Sequence, residues 1–276
     1  MLTDDLRLHV PESKTALAAR ICLSRSMLYY RPKMPERDWN LKIRIENILH
    51  SNPSYGHKRI ARALSVNKKP VLRVMHLFGI KPMRRRTHKP TKAKDLGKNA
   101  AHYQNLLLTI PFPTHAGIAW VSDFTYIKFH EKFVYLATIM DLYHRQVVGW
   151  SVLTSHTAQL TVTALIDALE KHDAPDIIHS DQGSEYRSKI YTRFVEQCSI
   201  QVSMSRKGSP WENGYQESFY SQFKVDLGDP NRFKNLAELA VALHQQIFYY
   251  NNSRIHSKLR MSPVAYAEQL LLLQTN

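Results

Sequence analysis

Apolar positions along the chain change period near residue 117, and that change divides it into two regions. Before it, the spacing is helical. Residues 14–20 read as a short helix, and Leu23-Ser24-Arg25-Ser26 as a turn and cap into Met27-Leu28-Tyr29-Tyr30, closed by Pro32 and Pro35. Leu41, Ile45 and Leu49 recur every four residues, which predicts a helix over 39–49. The turn residues of Asn52-Pro53-Ser54-Tyr55-Gly56 predict a loop. Two short helices are then expected, 57–64 with Ile60, Ala61 and Leu64 apolar, and 68–78 with Val71, Val74, Met75 and Phe78 apolar. Asn67 suits an N-cap, and Pro70 is tolerable because it falls in the first turn. The three-residue connection Ser65-Val66-Asn67 has the length used by helix-turn-helix DNA readers. An ordinary helical hairpin with a solvated polar face would give the same pattern.

Beyond residue 117 the apolar pattern becomes strand-like. Strands are predicted over 118–129, 133–143 and 145–154, with a turn at His130-Glu131-Lys132. An amphipathic helix over 157–171 follows through Leu160, Leu165 and Leu169. A short apolar strand over 176–181, a helix over 188–198, a strand over 200–204, a loop over 208–211 and a helix over 213–225 complete the series. The order β-β-β-α-β-α-β-α predicts an antiparallel meander extended by parallel strands through helical crossovers. That is an α/β, ribonuclease-H-like core, a mixed five-stranded sheet with flanking helices, preceded by a small all-α region with a helix-turn-helix. Four segments are expected: a helical DNA-binding region over 1–82, a basic linker over 83–112, a catalytic core over 113–230 and a helical C-terminal extension over 231–276.

Charge sharpens this division. Of the formal net charge of +15, residues 57–98 hold 14 Lys and Arg against the single acid Asp95, while residues 99–276 are nearly neutral. A cationic module beside a neutral body predicts an electrostatic grip on double-stranded DNA. Lys69 and Arg73 lie off the apolar stripe of the second short helix, and the Arg84-Arg85-Arg86 run adjoins it, so these five are the candidate phosphate contacts. Cys22 and Cys198 have no partner spacing for a disulfide framework or a zinc site. No 18-residue apolar run and no signal-peptide core occur, so a cytoplasmic, nucleoid-associated protein without a membrane partner is expected.

Three carboxylates stand out against that background. Asp123 lies within the first predicted strand, Asp181 ends the fourth, and Glu217 follows after 35 intervening residues on the last helix of the core. Adjacent strands would set the two aspartates side by side. Carboxylate oxygens are the preferred ligands of hard divalent ions, and a pair of such ions can stabilise both the attacking and the leaving oxygen of a phosphodiester. Lys224 lies two turns after Glu217 on the same helix face. A solvated strand-end Asp and helix-surface Glu is the commoner fate of such residues taken singly.

The motifs Ser122-Asp123-Phe124-Thr125-Tyr126-Ile127, His179-Ser180-Asp181-Gln182-Gly183-Ser184-Glu185-Tyr186, and Asn213 through Glu217-Ser218-Phe219 to Lys224 resemble the three acidic motifs of integrase-type DDE transposases. The resemblance is closest to the second-frame (OrfB) protein of the IS-three family of bacterial insertion sequences. Tyr250-Asn251-Asn252-Ser253-Arg254-Ile255-His256, with Leu259 and Pro263, is similar to that family's C-terminal signature, and Tyr55-Gly56-His57-Lys58-Arg59-Ile60 to its N-terminal stretch. The likeness covers about residues 15–265.

The resemblance implies that Asp123, Asp181 and Glu217 are catalytic and bind two Mg²⁺ or Mn²⁺ ions. It also implies that Lys224 contacts the transposon end, and that end cleavage is followed by strand transfer into target DNA. Homo-oligomers on DNA and an upstream-frame (OrfA-type) partner are implied as well. No zinc is expected, because the chain lacks the His/Cys cluster of the retroviral relatives. Glu212 competes with Glu217 for the third position, and the Ser218-Phe219 and Lys224 registers favour Glu217. A non-catalytic sequence-specific DNA-binding protein is the rival reading, as is a nuclease without strand transfer.

Overall fold

The computed structural model describes residues 13–20, 22, 24–25, 34–84, 103–206 and 209–274. Helix α1 (Lys14–Arg20) precedes a unit of three helices, α2 (Met34–Ser51), α3 (His57–Ala63) and α4 (Lys68–Leu77). Helix α2 starts earlier than its apolar period predicts. Pro35, expected to close the preceding segment, sits in the first turn of α2, where the missing N–H costs nothing because that amide has no intrahelical partner. The connection between α3 and α4 is capped as expected, the Asn67 side chain accepting from the Lys69 N–H at 2.9 Å. Ile45, Ile60, Val71 and Val74 are fully enclosed around Tyr55, and each such aliphatic contributes roughly 1.5–3 kcal/mol by burial.

The body is built on strands β1 (Ala119–Phe129), β2 (Lys132–Asp141), β3 (Val147–Leu153), β4 (Ile177–Ser180) and β5 (Gln201–Met204), in the sheet order β3-β2-β1-β4-β5. The β1–β2 and β2–β3 pairs are antiparallel, and the β1–β4 and β4–β5 pairs parallel. Strand types and order agree with the apolar pattern, and the arrangement is ribonuclease-H-like. Helices α5 (Ala158–Leu169) and α6 (Lys189–Gln197) cover one face, packed on Trp120, Ile139 and Ile178. Helices α7 (Gly214–Leu227) and α8 (Leu236–Asn252) cover the other, packed on Ala119, Val121, Leu136 and Ile177. Alternate residues of β1 and β4 therefore serve opposite cores, as strand geometry requires. Gly149 in β3 lets α5 approach, since a Cβ there would lie 2.5 Å from the Ala164 carbonyl oxygen and from Ala168 Cβ.

Residues beyond 230 belong to this same body. Leu239, Leu243, Ile247 and Tyr250 of α8 complete the α7-side core, and α9 (Pro263–Gln274) packs on α8. The stretch after α8 also joins the body to the N-terminal helices. Buried Arg254 donates from Nε to Asp226 of α7 at 2.8 Å and from Nη2 to Ser54 Oγ at 2.9 Å, and it also reaches Gln222. The Ile255 N–H donates to Tyr55 Oη at 2.7 Å, Arg59 donates to Ser257 Oγ at 3.0 Å, and Tyr249 bonds to Asn52.

Candidate active site

Strand register decides where the two aspartates lie. Val121 of β1 faces His179 of β4 in the parallel pair, and the same register carried two residues on sets Asp123 beside Asp181. Both then share the side of the sheet served by Val121, which is the α7 side. Each is oriented locally: Asp123 Oδ1 accepts from the Phe124 N–H at 2.8 Å, and Asp181 Oδ1 from the Gly183 N–H at 2.9 Å. Gly183 has little room for a side chain, since a Cβ would stand 3.0 Å from that Asp181 oxygen and 3.1 Å from Glu185 Oε2.

Helix α7 presents three faces. Gln216, Phe219, Tyr220, Phe223 and Leu227 are buried against the sheet. Gln216 donates from Nε2 to the Val121 carbonyl at 2.8 Å and accepts from Thr138 Oγ1 at 3.1 Å. Tyr220 Oη donates to the Asp123 carbonyl at 2.7 Å. These bonds lock the helix over the Asp123 segment and fix where the next residue, Glu217, emerges. Glu217 and Lys224 lie seven residues apart on a second face, Glu217 exposed and Lys224 half-buried, with Lys224 Nζ donating to the Tyr126 carbonyl at 2.7 Å. Tyr215, Ser218 and Gln222 form the third face.

The charges of the other two acids both reach Asp123. Burial and then the charge of Asp181, with a further push from Glu217, drive the Asp123 carboxyl up to about 8, against the Phe124 N–H and Lys224. Burial and the charge of Glu185 also raise Asp181, against the Gly183 N–H and Arg187. Like charges confronting one another in a half-buried setting favour protonation or a cation between them. Among the described residues no three Asp, Glu, His or Cys side chains are close enough to form a ready cation cage. The trio shares a face and a field without converging on one point.

Glu212, the competitor for the third position, is used otherwise. Its side chain is 3% exposed, accepts from Arg206 Nε at 2.8 Å and from the Arg206 N–H at 2.8 Å, and takes a further bond from Asn105 at 2.6 Å. Burial works to raise its pKa, but these bonds outweigh it and hold the carboxyl below its ordinary range. Asp141 is likewise a structural acid, accepting from the Gly117 and Tyr143 N–H groups at 2.8 Å. His179 is fully buried against Ser203 Oγ at 2.8 Å, and burial pushes its pKa down to about 4 despite Glu212, so it stays neutral.

Of the predicted nucleic-acid contacts, Lys69 and Arg84 are exposed. Arg73 grips Asp38 of α2 through two bonds of 2.6 Å, so this cation braces α4 against α2. Arg85 and Arg86, with most of the predicted linker, lie outside the described residues. Periodicity did not single out Gln216, whose buried amide has no apolar-stripe signature, or the pair of Glu185 and His156 at 2.7 Å beside Asp181.

Family comparisons agree with this architecture. An integrase core domain family matches residues 113–210, and a second family of the same description matches 198–263. The chain is 34% identical over 230 residues to the transposase for insertion sequence element IS904 of Lactococcus lactis, which covers 79% of this chain and 89% of that protein. It is 30% identical over 279 residues to InsK of insertion sequence element IS150 of Escherichia coli K12, covering 96% of each. Transposase InsF of insertion sequence IS3A, also from Escherichia coli K12, is 30% identical and covers 75% of this chain and 74% of that protein. Among solved structures, the HTLV-2 integrase catalytic core domain in complex with magnesium aligns with a TM-score of 0.47 at 18% identity, covering 56% of this chain and 98% of that one. Identity at this level along nearly the whole length, with an integrase core domain at its centre, makes the chain a member of the IS-three family of bacterial insertion-sequence transposases.

Proposed function

We propose that the protein is a DDE transposase that cleaves at the ends of its insertion sequence and joins the freed 3′-hydroxyl to target DNA by transesterification. The observation that carries this reading is the β1–β4 register that runs Asp123 beside Asp181, with the charges of Asp181 and Glu217 both acting on Asp123. An all-carboxylate donor set fits Mg²⁺ or Mn²⁺, and a cation is what relieves the repulsion that raises Asp123. Asp123, Asp181 and Glu217 would hold two such ions, which supply charge stabilisation at the attacking and leaving oxygens of the phosphodiester.

The chain's own residues set the stage for that chemistry. Gln216 and Tyr220 keep α7 seated so that Glu217 faces the aspartates. Lys224 is the phosphate contact nearest the acids, and its charge also draws the Asp123 carboxyl down. Tyr220 is no nucleophile: burial, then the Asp123 charge, raises its hydroxyl well above the ordinary tyrosine range, and the hydroxyl hydrogen is directed to a backbone carbonyl. Strand transfer accordingly runs without a covalent protein–DNA intermediate. Lys69 and the Arg84-Arg85-Arg86 run supply phosphate contacts on double-stranded DNA, and the enzyme works as a homo-oligomer on paired ends with an upstream-frame partner.

The test incubates the protein with a labelled duplex carrying an element end and Mg²⁺, with and without an upstream-frame extension. Cleaved and joined products are expected, both lost in Asp181→Asn and Glu217→Gln while duplex binding persists. Binding without cleavage by the unmodified protein in both formats would favour a non-catalytic DNA-binding protein, and nicking without joining a plain nuclease.

A further inference from the structure

The third face of α7 borders a cavity of about 290 Å³ between the body, the N-terminal helices and the segment after α8. Four permanent cations from distant parts of the chain line it: Arg59 from α3, Arg145 from the β2–β3 connection, and Arg254 and Lys258 from the C-terminal segment. No carboxylate among the described residues lines it. Among the described residues Asp226 is the one carboxylate ion-paired with any of the four, through Arg254, so the cations are in excess.

Arg145 is the most telling member. It is 3% exposed, yet its Nη1 has no hydrogen-bond partner. Its guanidinium lies 3.9 Å from the centre of the Tyr215 ring and 5.3 Å from that of Phe112. Aromatic faces hold the cation in place while satisfying none of its directed N–H bonds. A buried charge left in this state is costly unless a counter-charge reaches it. The same excess acts on its neighbours. Burial, with the charges of Arg145, Arg59, Arg254 and Lys258, pushes the His256 ring down to about 4. Burial and then Arg254 lower Arg59 to about 10.

We infer that this cavity is a phosphate-binding site that takes a backbone phosphate of DNA, seated on the Arg145 guanidinium with Lys258 at its rim. Guanidinium groups recognise phosphate oxygens through paired N–H bonds, and Ser218 and Gln222 add neutral donors on the α7 side. The source is DNA because the cavity does not stand alone. Arg59 and Ser257 also line an open groove of about 740 Å³ flanked by Lys58, Arg62, Lys68 and Arg260, again with no carboxylate among the described residues. A single small phosphate needs only the cavity, whereas a polyanion occupies both. The attribution to DNA rests on the transposase reading; the phosphate chemistry does not.

The experiment follows the His256 ring by NMR in the full chain at fixed ionic strength, titrating inorganic pyrophosphate and, separately, a 20-base-pair duplex of arbitrary sequence. Both are expected to shift the His256 signals and raise its pKa. Lys258→Gln, a change at an exposed position, should weaken each about threefold. Arg145→Met should weaken each about tenfold and Arg145→Lys less, since a lysine keeps the charge but loses the fork. A His256 response to pyrophosphate but not to a bound duplex overturns the DNA source and leaves a free-phosphate site. Pyrophosphate binding with no duplex binding anywhere overturns the DNA reading of the protein and spares the cavity. Silence of His256 to both, or full affinity in Lys258→Gln and Arg145→Met alike, overturns the inference.

Discussion

Two faces of the same helix gather like charge, and they gather opposite signs. On one side of α7, the charges of Asp181 and Glu217 act on Asp123, whose pKa burial and these charges raise to about 8. Around the corner, Arg59, Arg145, Arg254 and Lys258 surround a cavity, and the pKa of His256 falls to about 4. Other charges are paired within the protein, as buried Glu212 is with Arg206 and Asp38 with Arg73, and of the four cations Arg254 alone has such a pairing among the described residues, with Asp226. Charge paired inside the protein holds elements together, whereas charge left in excess is held ready for something from outside. The acidic and the basic groups thus border faces of α7 about a third of a turn apart.

The sharpest way to probe the contrast is to cut a paired charge and an unpaired one. Arg254→Met strands Asp226 at 3% exposure and should cost about 3–5 kcal/mol in urea unfolding. Arg145→Met removes a guanidinium whose Nη1 is unpartnered, so its stability should change far less. Equal losses would erase the distinction between structural and ligand-directed cations.

The acidic side gives a pH signature of comparable clarity. In chelator, between roughly pH 4 and pH 8, folded Asp123 retains a proton that the unfolded chain has released, so stability falls as pH rises across that window. Asp123→Asn removes this dependence. Its Tm advantage over the unmodified protein should grow from pH 5 to pH 8, reaching a few degrees. A constant difference across that range would mean that the Asp123 carboxyl is not raised in the folded chain.

The two glutamates beside the site should separate in the same spirit. Glu212→Gln loses hydrogen bonds to Arg206 and should lower stability by about 1 kcal/mol. Exposed Glu217→Gln should leave stability unchanged while abolishing strand transfer. The smallest effect is expected from Arg73→Ala, which should alter the salt dependence of duplex affinity less than Lys69→Ala does, because Arg73 is held by Asp38. An equal or larger salt effect from Arg73 would mean that its pairing with Asp38 does not keep it from the phosphates.

How much could be read beforehand depended on whether a signal was local. Strand order followed from the change of apolar period at residue 117, and Asn67 announced its cap because Ser, Thr, Asn and Asp satisfy helix amides at short range. The position of Asp123 beside Asp181 followed from one parallel pairing. The pairing of exposed Arg73 with Asp38 was not legible, because nothing within its own helix reveals a partner 35 residues earlier. Pro35 misled, since a proline that ends one segment can equally open the next. The cationic cavity was illegible for a geometric reason: Arg59, Arg145 and Arg254 meet only after three remote segments have folded together.

The Arg254 junction has a mechanical meaning. Because one guanidinium bonds both Ser54 and Asp226, the N-terminal helices are tied directly to the helix bearing Glu217. A duplex gripped by those helices would thus arrive at a preset angle to the acids. Lengthening the 52–56 connection by even one residue would shift that angle, and the enzyme would grasp its substrate while aiming it past the site of reaction.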